Sequence, residues 1–197
     1  MSFALLHDLR DLNVLVLHPK DTEGVFLTDH LRRIGCDAQL VWPIPDHLPA
    51  HTDIVFLSMD DEARQEITAF IKTLPNPAPT ILAIVGYENP SMLQVVLESG
   101  ALAVVERPIK PFGLLTNLAI ARQLWLERRQ LSKDVRKYKR KVHGDQHLAR
   151  AKAILMANLG TSEDEAYREL RQEAMAKRIS IDEVARAVIA SEKGLRS

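Results

Sequence analysis

The sequence contains a single cysteine, few aromatic side chains and no long hydrophobic run. Only Cys36 carries a thiol among the 197 residues, which excludes an internal disulfide framework and a metal site built from cysteines alone. No apolar stretch approaches the roughly 18 residues that a membrane-spanning helix needs. Residues 1–10 carry Asp8 and no early basic residue, unlike a secretory signal. We therefore expect a cytoplasmic protein without a membrane segment.

The net charge of zero conceals an asymmetry between the two halves of the chain. Residues 1–120 hold 8 Lys and Arg against 15 Asp and Glu, whereas residues 121–197 hold 18 against 11. A change of sign along the chain indicates two modules with different partners. The basic half either binds a polyanion such as nucleic acid or presents a solvated helical surface, and charge alone does not decide between them.

The N-terminal part alternates short apolar runs with helical patterns. The runs predict strands at 13–17, 37–42, 53–58, 80–85 and 101–105. The apolar spacing between them predicts helices at 22–34, 61–74 and 90–98. This alternation predicts an α/β flavodoxin-like, doubly wound fold with a parallel five-stranded sheet, whose ligands bind at the carboxyl ends of the strands.

Several residues at or near these strand ends form a pattern that can be compared with known domains. They are a strand that ends at His18, the strand 53–57, the loop from Tyr87 to Pro90, and Gly100-Ala101 leading to Arg107-Pro108. Over about residues 10–125 this pattern resembles a response-regulator receiver domain. The resemblance implies carboxylates for Mg²⁺ after the first strand, a phosphorylated Asp after the third, a Thr or Ser after the fourth, and a Lys before the proline after the fifth.

The residues at those positions lack this chemistry. The corresponding positions are occupied by His18 and Pro19, Ser58, Val85 and Arg107. Neither His18 nor Pro19 supplies the carboxylate oxygens that Mg²⁺ prefers, and Ser58 has no carboxylate that could become an acyl phosphate. We therefore expect a pseudo-receiver domain that binds protein and dimerises, with no metal and no cofactor.

Two alternatives remain at this edge of the sheet. Asp60, Asp61 and Glu62 lie just beyond Ser58 and could act as displaced carboxylates, although two residues of extended chain move a side chain by roughly 6 Å. The domain could also be purely structural and receive no signal.

A long helix is predicted after the fifth strand. No proline follows Pro111, and little argues against helix from 114 to about 158. One heptad frame places Arg128 and Asp145 in the seam among apolar side chains, namely Ala121, Leu124, Leu131, Val135, Tyr138 and Val142. The pattern predicts a parallel coiled-coil homodimer, with packing of the stripe on the chain's own C-terminal helices as the alternative.

The last 40 residues carry two helix-start signals. Ser162 with Glu165, and Ser180 with Glu183, have the spacing of capping boxes, and Gly160 is positioned to end the preceding helix. Two short helices are therefore predicted to pack with the end of the long one.

Small and apolar residues recur at fixed spacing in this module. The string runs from Ala151 to Met156, then through Gly160, Glu165-Ala166-Tyr167, Leu170-Arg171, Ala174-Met175 and Val184-Ala185. This pattern resembles the ANTAR domain, the RNA-binding module of transcription antiterminators. The whole chain resembles the amidase-operon members of that family, which combine a degenerate receiver, a long coiled coil and an ANTAR domain.

The resemblance implies a division of the chain and a function. The pseudo-receiver would span 1–120, the coiled-coil linker 121–147 and the ANTAR domain 148–197. A dimer would bind stem-loops in nascent leader RNA and prevent formation of a terminator. A ligand-sensing protein with a periplasmic-binding-protein fold would hold it inactive. A DNA-binding response regulator and an adaptor without a nucleic-acid role are the alternatives, and no enzyme motif is present.

The candidate RNA-binding residues are the basic side chains of the ANTAR-like module. They are Arg150, Lys152, Arg171, Lys177 and Arg178, which can supply phosphate or base contacts. Tyr167 and Met156 are expected to pack in the core.

Overall fold

The computed structural model describes residues 9–86 and 90–195, and within them it confirms the predicted order of strands and helices. The expectations about the first eight residues and about the loop residues Tyr87, Glu88 and Asn89 lie outside the described part of the chain. The chain divides into two compact units, residues 1–130 and 131–197. No helix among the described residues is long and apolar enough to cross a membrane.

The first unit is built on one parallel sheet with the strand order β2-β1-β3-β4-β5. The strands are β1 (Asn13–Leu17), β2 (Asp37–Val41), β3 (Ile54–Ser58), β4 (Thr80–Val85) and β5 (Ala103–Glu106). The helices that connect or follow them are α1 (Thr22–Arg33), α2 (Arg64–Thr73), α3 (Pro90–Ser99) and the beginning of α4 (Leu114–Leu159). This is the doubly wound arrangement that the alternating pattern predicts.

The helix expected from Asp61 begins differently. Asp61–Ala63 form a 3-10 turn, and the α-helix proper starts at Arg64. Asp60, the residue that precedes the turn, makes no capping hydrogen bond to it. Its carboxylate binds Arg107 instead, so it is not available to cap the helix start.

Alternate residues of the buried strands form two separate cores, one on each face of the sheet. On one face, Val16 and Phe56 pack with Leu27 of α1 and Leu118 of α4. On the other, the neighbouring strand residues pack with α2 and α3 through a cluster that includes Leu57, Ile67, Phe70 and Val95. Because side chains alternate across each strand, a strand that is apolar throughout is buried on both faces.

The first turns of α4 are bound to the amino-terminal edge of the same sheet. The indole Nε1 of Trp125 donates to the carbonyl oxygen of Ala78 at 2.7 Å. The guanidinium groups of Arg122 and Arg129 lie 4.5 and 5.0 Å from the Trp125 ring, and Arg122 also pairs with Asp53 at 3.7 Å. These cation–π contacts and hydrogen bonds hold α4 against the unit well beyond its buried Leu118.

The second unit consists of the end of α4 with α5 (Glu163–Lys177) and α6 (Ile181–Leu195). Its core is formed by small and aliphatic side chains, with Ala151, Leu170, Ala174, Val184 and Ala185 buried. Gly160 ends α4 with φ +66°, as expected for a residue in the left-handed region.

Both predicted capping boxes are present. The Ser162 backbone N–H donates to Glu165 at 2.9 Å and the Ser180 N–H donates to Glu183 at 2.8 Å, while each serine hydroxyl accepts from the glutamate N–H. The hydrogen bonds from the serine backbone and hydroxyl lower the pKa of both glutamates. The charged form of each carboxylate is therefore part of the helix start.

We predict that the Cys36 thiol is unreactive in the native protein. Cys36 is 5% exposed, its Sγ–H donates to the Leu9 carbonyl oxygen at 3.3 Å, and burial raises the pKa of the thiol to about 11. Ellman's reagent at pH 8 should label the protein only after denaturation. Because the unfolded thiol ionises at lower pH than the folded one, the free energy of unfolding should fall between about pH 9 and 11 more steeply than in Cys36→Ala. Rapid native labelling would contradict this prediction.

Candidate functional site

The sheet brings the sequence-predicted receiver positions together at its carboxyl edge. His18 follows β1, Ser58 ends β3, Val85 ends β4 and Arg107 follows β5. The side chains of His18 and Ser58 are fully buried. The backbone N–H of Arg107 donates to the Val85 carbonyl oxygen at 2.9 Å, which places the arginine side chain over the ends of the central strands.

The guanidinium of Arg107 occupies the centre of this pocket. Its Nη1 donates to Asp60 Oδ1 at 2.9 Å, and its Nη2 donates to His18 Nε2 at 2.8 Å and to the Ser58 hydroxyl. Ser58 in turn donates to Asp60 Oδ2 at 2.6 Å. One planar cation therefore binds groups that follow two different strands, which is the geometry that arginine supports and lysine does not.

The hydrogen bonds of His18 define its tautomer. Its Nδ1 lies 2.9 Å from the Pro19 carbonyl oxygen, which can only accept, so Nδ1 carries the proton. Nε2 can then accept from Arg107, whose guanidinium only donates. The close approach of α1 requires a glycine, because a Cβ on Gly24 would lie 2.4 Å from the Pro19 oxygen and 2.9 Å from His18 Nδ1.

A second carboxylate reaches the same guanidinium from α1. Glu23 Oε2 lies 3.6 Å from Arg107 Nε, and Glu23 Oε1 accepts the backbone N–H of Ile109 at 3.0 Å. Sequence reasoning did not identify Glu23 as a member of the site, and it considered Asp60 only as a displaced phosphoacceptor. The available signal was Arg107 itself, since a partly buried guanidinium requires carboxylates close by.

The residues of this pocket do not fit a magnesium ion. A guanidinium lies between the carboxylates of Asp60 and Glu23, and the His18 imidazole nitrogen and the Ser58 hydroxyl already bind it. No group of three His, Cys, Asp or Glu side chains in the described part of the chain is placed to hold a metal ion. The pocket is thus an internal ion-pair network around a fixed, covalently attached cation.

The basic residues predicted in the second unit fall into two groups. Lys152 pairs with Glu163, and Lys177 pairs with Glu173 at 2.6 Å. The other three lie exposed and make no side-chain hydrogen bond or ion pair within residues 9–86 and 90–195, namely Arg150, Arg171 and Arg178. Of these five basic side chains, only the three arginines are not already paired with a carboxylate among the described residues.

Two of these arginines share one side of α5 with Tyr167, which was expected in the core. The buried positions of α5 are Ala166, Leu170 and Ala174, spaced by four residues. Tyr167, Arg171 and Arg178 lie to one side of that stripe, because each successive residue advances 100° around a helix. Tyr167 is 41% exposed, so its predicted core position is wrong.

The opposite side of the α5 core stripe is acidic. Glu165, Glu169 and Glu173 lie there by the same helical geometry. Met156 near the end of α4 was also expected in the core, yet it is 38% exposed because Ala151 and Ile154 take the buried positions of that segment.

The heptad side chains of α4 form an exposed apolar stripe. The exposed fractions of Leu124, Leu131, Val135, Tyr138 and Val142 lie between 40% and 66%. The C-terminal core begins only at Leu148. Within the second unit, Leu131, Val135, Tyr138 and Val142 are thus exposed and lie outside the core that the C-terminal helices form.

Comparison with known proteins places both units. Residues 12–122 match the family model for the N-terminal domain of AmiR, and residues 136–189 match the ANTAR domain. The chain is 31% identical over 189 residues to the aliphatic amidase regulator of Pseudomonas aeruginosa, which covers 96% of each chain.

Solved structures share the fold at lower identity. The response regulator StyR superposes with a TM-score of 0.55 at 17% identity, over 92% of this chain and 99% of StyR. A response regulator receiver protein from Burkholderia phymatum matches 57% of this chain and 96% of its own, at 17% identity and a TM-score of 0.47.

We predict that Arg107→Met destabilises the first unit by about 1–3 kcal/mol, because it leaves Asp60 and Glu23 without their counter-charge in a partly buried site. Urea unfolding followed by tryptophan fluorescence measures this unit alone, since the only tryptophans are Trp42 and Trp125. Replacement of the exposed Arg33 by Met serves as the control and should change the unfolding free energy by less than about 0.5 kcal/mol. Equal effects of the two substitutions would show that the network contributes nothing to stability.

Proposed function

Because the chain belongs to the AmiR family of antitermination regulators with an ANTAR domain, we propose that it binds stem-loops in nascent leader RNA as a cytoplasmic homodimer. Binding prevents formation of a transcription terminator, so that polymerase reads through. In this proposal residues 1–120 receive the signal, residues 121–147 pair the two chains and residues 148–197 bind RNA. The observation that carries it is the exposed basic side of α5 within the ANTAR match.

The α5 surface has the chemistry that stem-loop recognition needs. RNA loops present phosphates and unstacked bases, which proteins bind with arginine or lysine and with aromatic side chains. Arg171 and Arg178 supply unpaired guanidinium groups, and Tyr167 supplies an exposed ring on the same side of the helix. Arg150 adds a third unpaired guanidinium, whereas Lys152 and Lys177 contribute charge that Glu163 and Glu173 partly neutralise.

The proposed input is a protein partner, without phosphorylation. Ser58 cannot form the acyl phosphate of a receiver, and the guanidinium of Arg107 occupies the place where a cation would be bound. A sensor with a periplasmic-binding-protein fold would hold the regulator inactive and release it on binding its ligand. Control by contact suits a domain whose pocket is already occupied by ion pairs and hydrogen bonds between its own residues.

The decisive experiment compares RNA with DNA. The purified full chain should bind a transcript of its own operon's leader, with its stem-loops, more tightly than duplex DNA of the same sequence. The affinity should fall with rising salt concentration, because phosphate contacts release counterions. A preference for the DNA duplex would favour a DNA-binding response regulator, and binding to neither would favour an adaptor.

We predict that Arg171→Ala weakens binding to the leader transcript by about five- to tenfold at 0.1 M salt, as expected for the loss of one phosphate contact. Lys152→Ala should weaken it less, since Glu163 already neutralises that ammonium group. Lys72→Ala, which removes an exposed charge from the first unit, serves as the control. Circular dichroism should show unchanged helix content in each variant. Unchanged affinity of the Arg171 and Lys152 variants would remove both residues from the site.

We predict that the double substitution Leu131→Asp and Tyr138→Asp raises the dimer dissociation constant by at least about 100-fold, equivalent to about 2.7 kcal/mol. Carboxylates at two seam positions one heptad apart would face their copies across a parallel pair. Analytical ultracentrifugation measures the shift. Lys137→Asp, on the outer side of the same helix, should leave the dimer intact. A dimer that survives the double substitution would rule out pairing through this stripe.

A further inference from the structure

The side of α4 that lies opposite its apolar stripe is basic between residues 133 and 140. Each residue advances 100° around a helix, so four basic side chains centre on a direction about 180° from the stripe. We name this surface the outer basic face, which consists of Lys133, Arg136, Lys137 and Arg140. All four side chains are exposed, and none of them forms an ion pair with a carboxylate in the described part of the chain.

The acidic residues of the same segment lie on the other side of the helix. Between residues 131 and 147 the carboxylates are those of Asp134 and Asp145, and helical geometry places both nearer the apolar stripe. In the parallel pair proposed above, Asp134 and Lys139 occupy g and e positions, where opposite charges face each other between the chains. The outer basic face occupies b, c and f positions, which face solvent in such a pair. Pairing of the chains therefore gives Lys139 an acidic partner and the outer basic face none.

Helix stability does not account for this pattern either. A solvated helix face is usually stabilised by opposite charges four residues apart. Here Lys133 and Lys137 have that spacing, as do Arg136 and Arg140, and like charges at that spacing are slightly destabilising. The outer basic face therefore has the composition of a surface that meets a polyanion.

The outer basic face adjoins the packed helices of the second unit. His147 lies on the same side of α4, seven residues or about 10 Å beyond Arg140. Its Nδ1 is 2.8 Å from Asp182 Oδ1 in the first turn of α6. Gly144 faces the same turn, since a Cβ there would lie 3.7 Å from that oxygen. The face thus belongs to the same unit as the basic side of α5.

The geometry of the face indicates which part of an RNA it fits. A helix presents these cations as a straight, rigid row, which matches the regular phosphate backbone of a paired stem. Recognition of a loop needs aromatic rings and a shaped surface, as on the side of α5 that carries Tyr167. We infer that the outer basic face of α4 binds the phosphates of the RNA stem without regard to sequence. This inference rests on the proposed RNA binding and adds a second contact surface within the segment that pairs the chains.

The test neutralises the outer basic face and leaves α5 unchanged. The quadruple variant is Lys133→Gln, Arg136→Gln, Lys137→Gln and Arg140→Gln. The affinity of the full chain for its operon's leader transcript should fall by about 100-fold at 0.1 M salt. The slope of log K against log salt should become shallower by about 2 to 3, the contribution of roughly three phosphate contacts. The loss should be equal for a transcript with the same stems and altered loop bases, because phosphates carry no base identity.

The quadruple variant should keep its structure. Glutamine is a good helix former, and the substitutions remove like-charge pairs from an exposed helix. Circular dichroism should therefore show unchanged helix content, and analytical ultracentrifugation should show an unchanged or tighter dimer.

Two control variants separate the location of the charge from its amount. The first removes four exposed positive charges from the first unit and should leave the slope unchanged; its substitutions are Lys20→Gln, Arg33→Gln, Arg64→Gln and Lys72→Gln. The second, Lys133→Arg with Lys137→Arg, keeps the charge of the outer basic face and should retain the affinity within about threefold.

The outcomes distinguish this inference from the function beneath it. A wild-type chain that binds no leader transcript would overturn both. A wild-type chain that binds, with a quadruple variant of equal affinity and slope, would overturn the inference and leave the proposed function intact. An equal loss in the first-unit control would show an effect of net charge alone, and a loss confined to the natural loop sequence would show that the face reads bases; either result overturns the assignment to the stem.

Discussion

One helix, α4, contributes buried side chains to two hydrophobic cores. Leu114, Leu118 and Ala121 complete one core of the first unit, and Ala151 contributes to that of the second. Each unit therefore needs this helix for its own burial of apolar surface, which is the main stabilising contribution in small domains. Apart from Arg128 and Asp145, the heptad positions between the two cores are apolar but lie in neither core. The middle of the helix therefore exposes apolar side chains that neither core buries.

In the first unit, the residues at the carboxyl ends of the strands form one connected network of ion pairs and hydrogen bonds. Arg107 brings a permanent positive charge to the edge of the sheet, and His18 can accept a hydrogen bond from it because Nδ1 is committed to a backbone oxygen. Asp60 then binds the guanidinium and Ser58, and so does not cap the following helix.

The sequence was sufficient where local patterns decide the structure. Apolar runs predicted all five strands, and serine-glutamate pairs predicted the starts of α5 and α6. Gly160 predicted the end of α4. These features depend on neighbours within four residues, so the chain itself displays them.

Sequence patterns were insufficient where the structure depends on the angular position of a residue on its helix, or on contacts between residues far apart in the sequence. Tyr167 follows a buried alanine by one residue, and this rotation of 100° is enough to expose it. Glu23 and Arg107 are 84 positions apart, and Trp125 and Ala78 are 47, so only the folded sheet reveals that they meet. The candidate RNA-binding residues could be named from the sequence, but the sequence did not show that Lys152 and Lys177 form ion pairs while the three arginines do not.

The charge balance of the second unit shows why the difference between paired and unpaired basic side chains matters. Its acidic side chains are largely used in local structure: Glu163 with Lys152, Glu165 and Glu183 in capping boxes, Glu173 with Lys177, and Asp182 with His147 and Arg186. The hydrogen bond from Lys152 lowers the pKa of Glu163, and the serine hydrogen bonds lower that of Glu165 and Glu183, so these carboxylates keep their charge and their partners in mildly acidic solution.

The positive charge of a bound cation or helix N-terminus weakens the electrostatic field of a carboxylate. Salt weakens it further beyond the Debye length, which is about 10 Å at 0.1 M salt. An unpaired guanidinium keeps its field. The guanidinium groups of Arg150, Arg171 and Arg178 therefore add to the exposed basic side chains of α4, such as Lys137 and Lys141, in the field that an approaching polyanion meets. A unit with many acidic residues can in this way still present a basic surface.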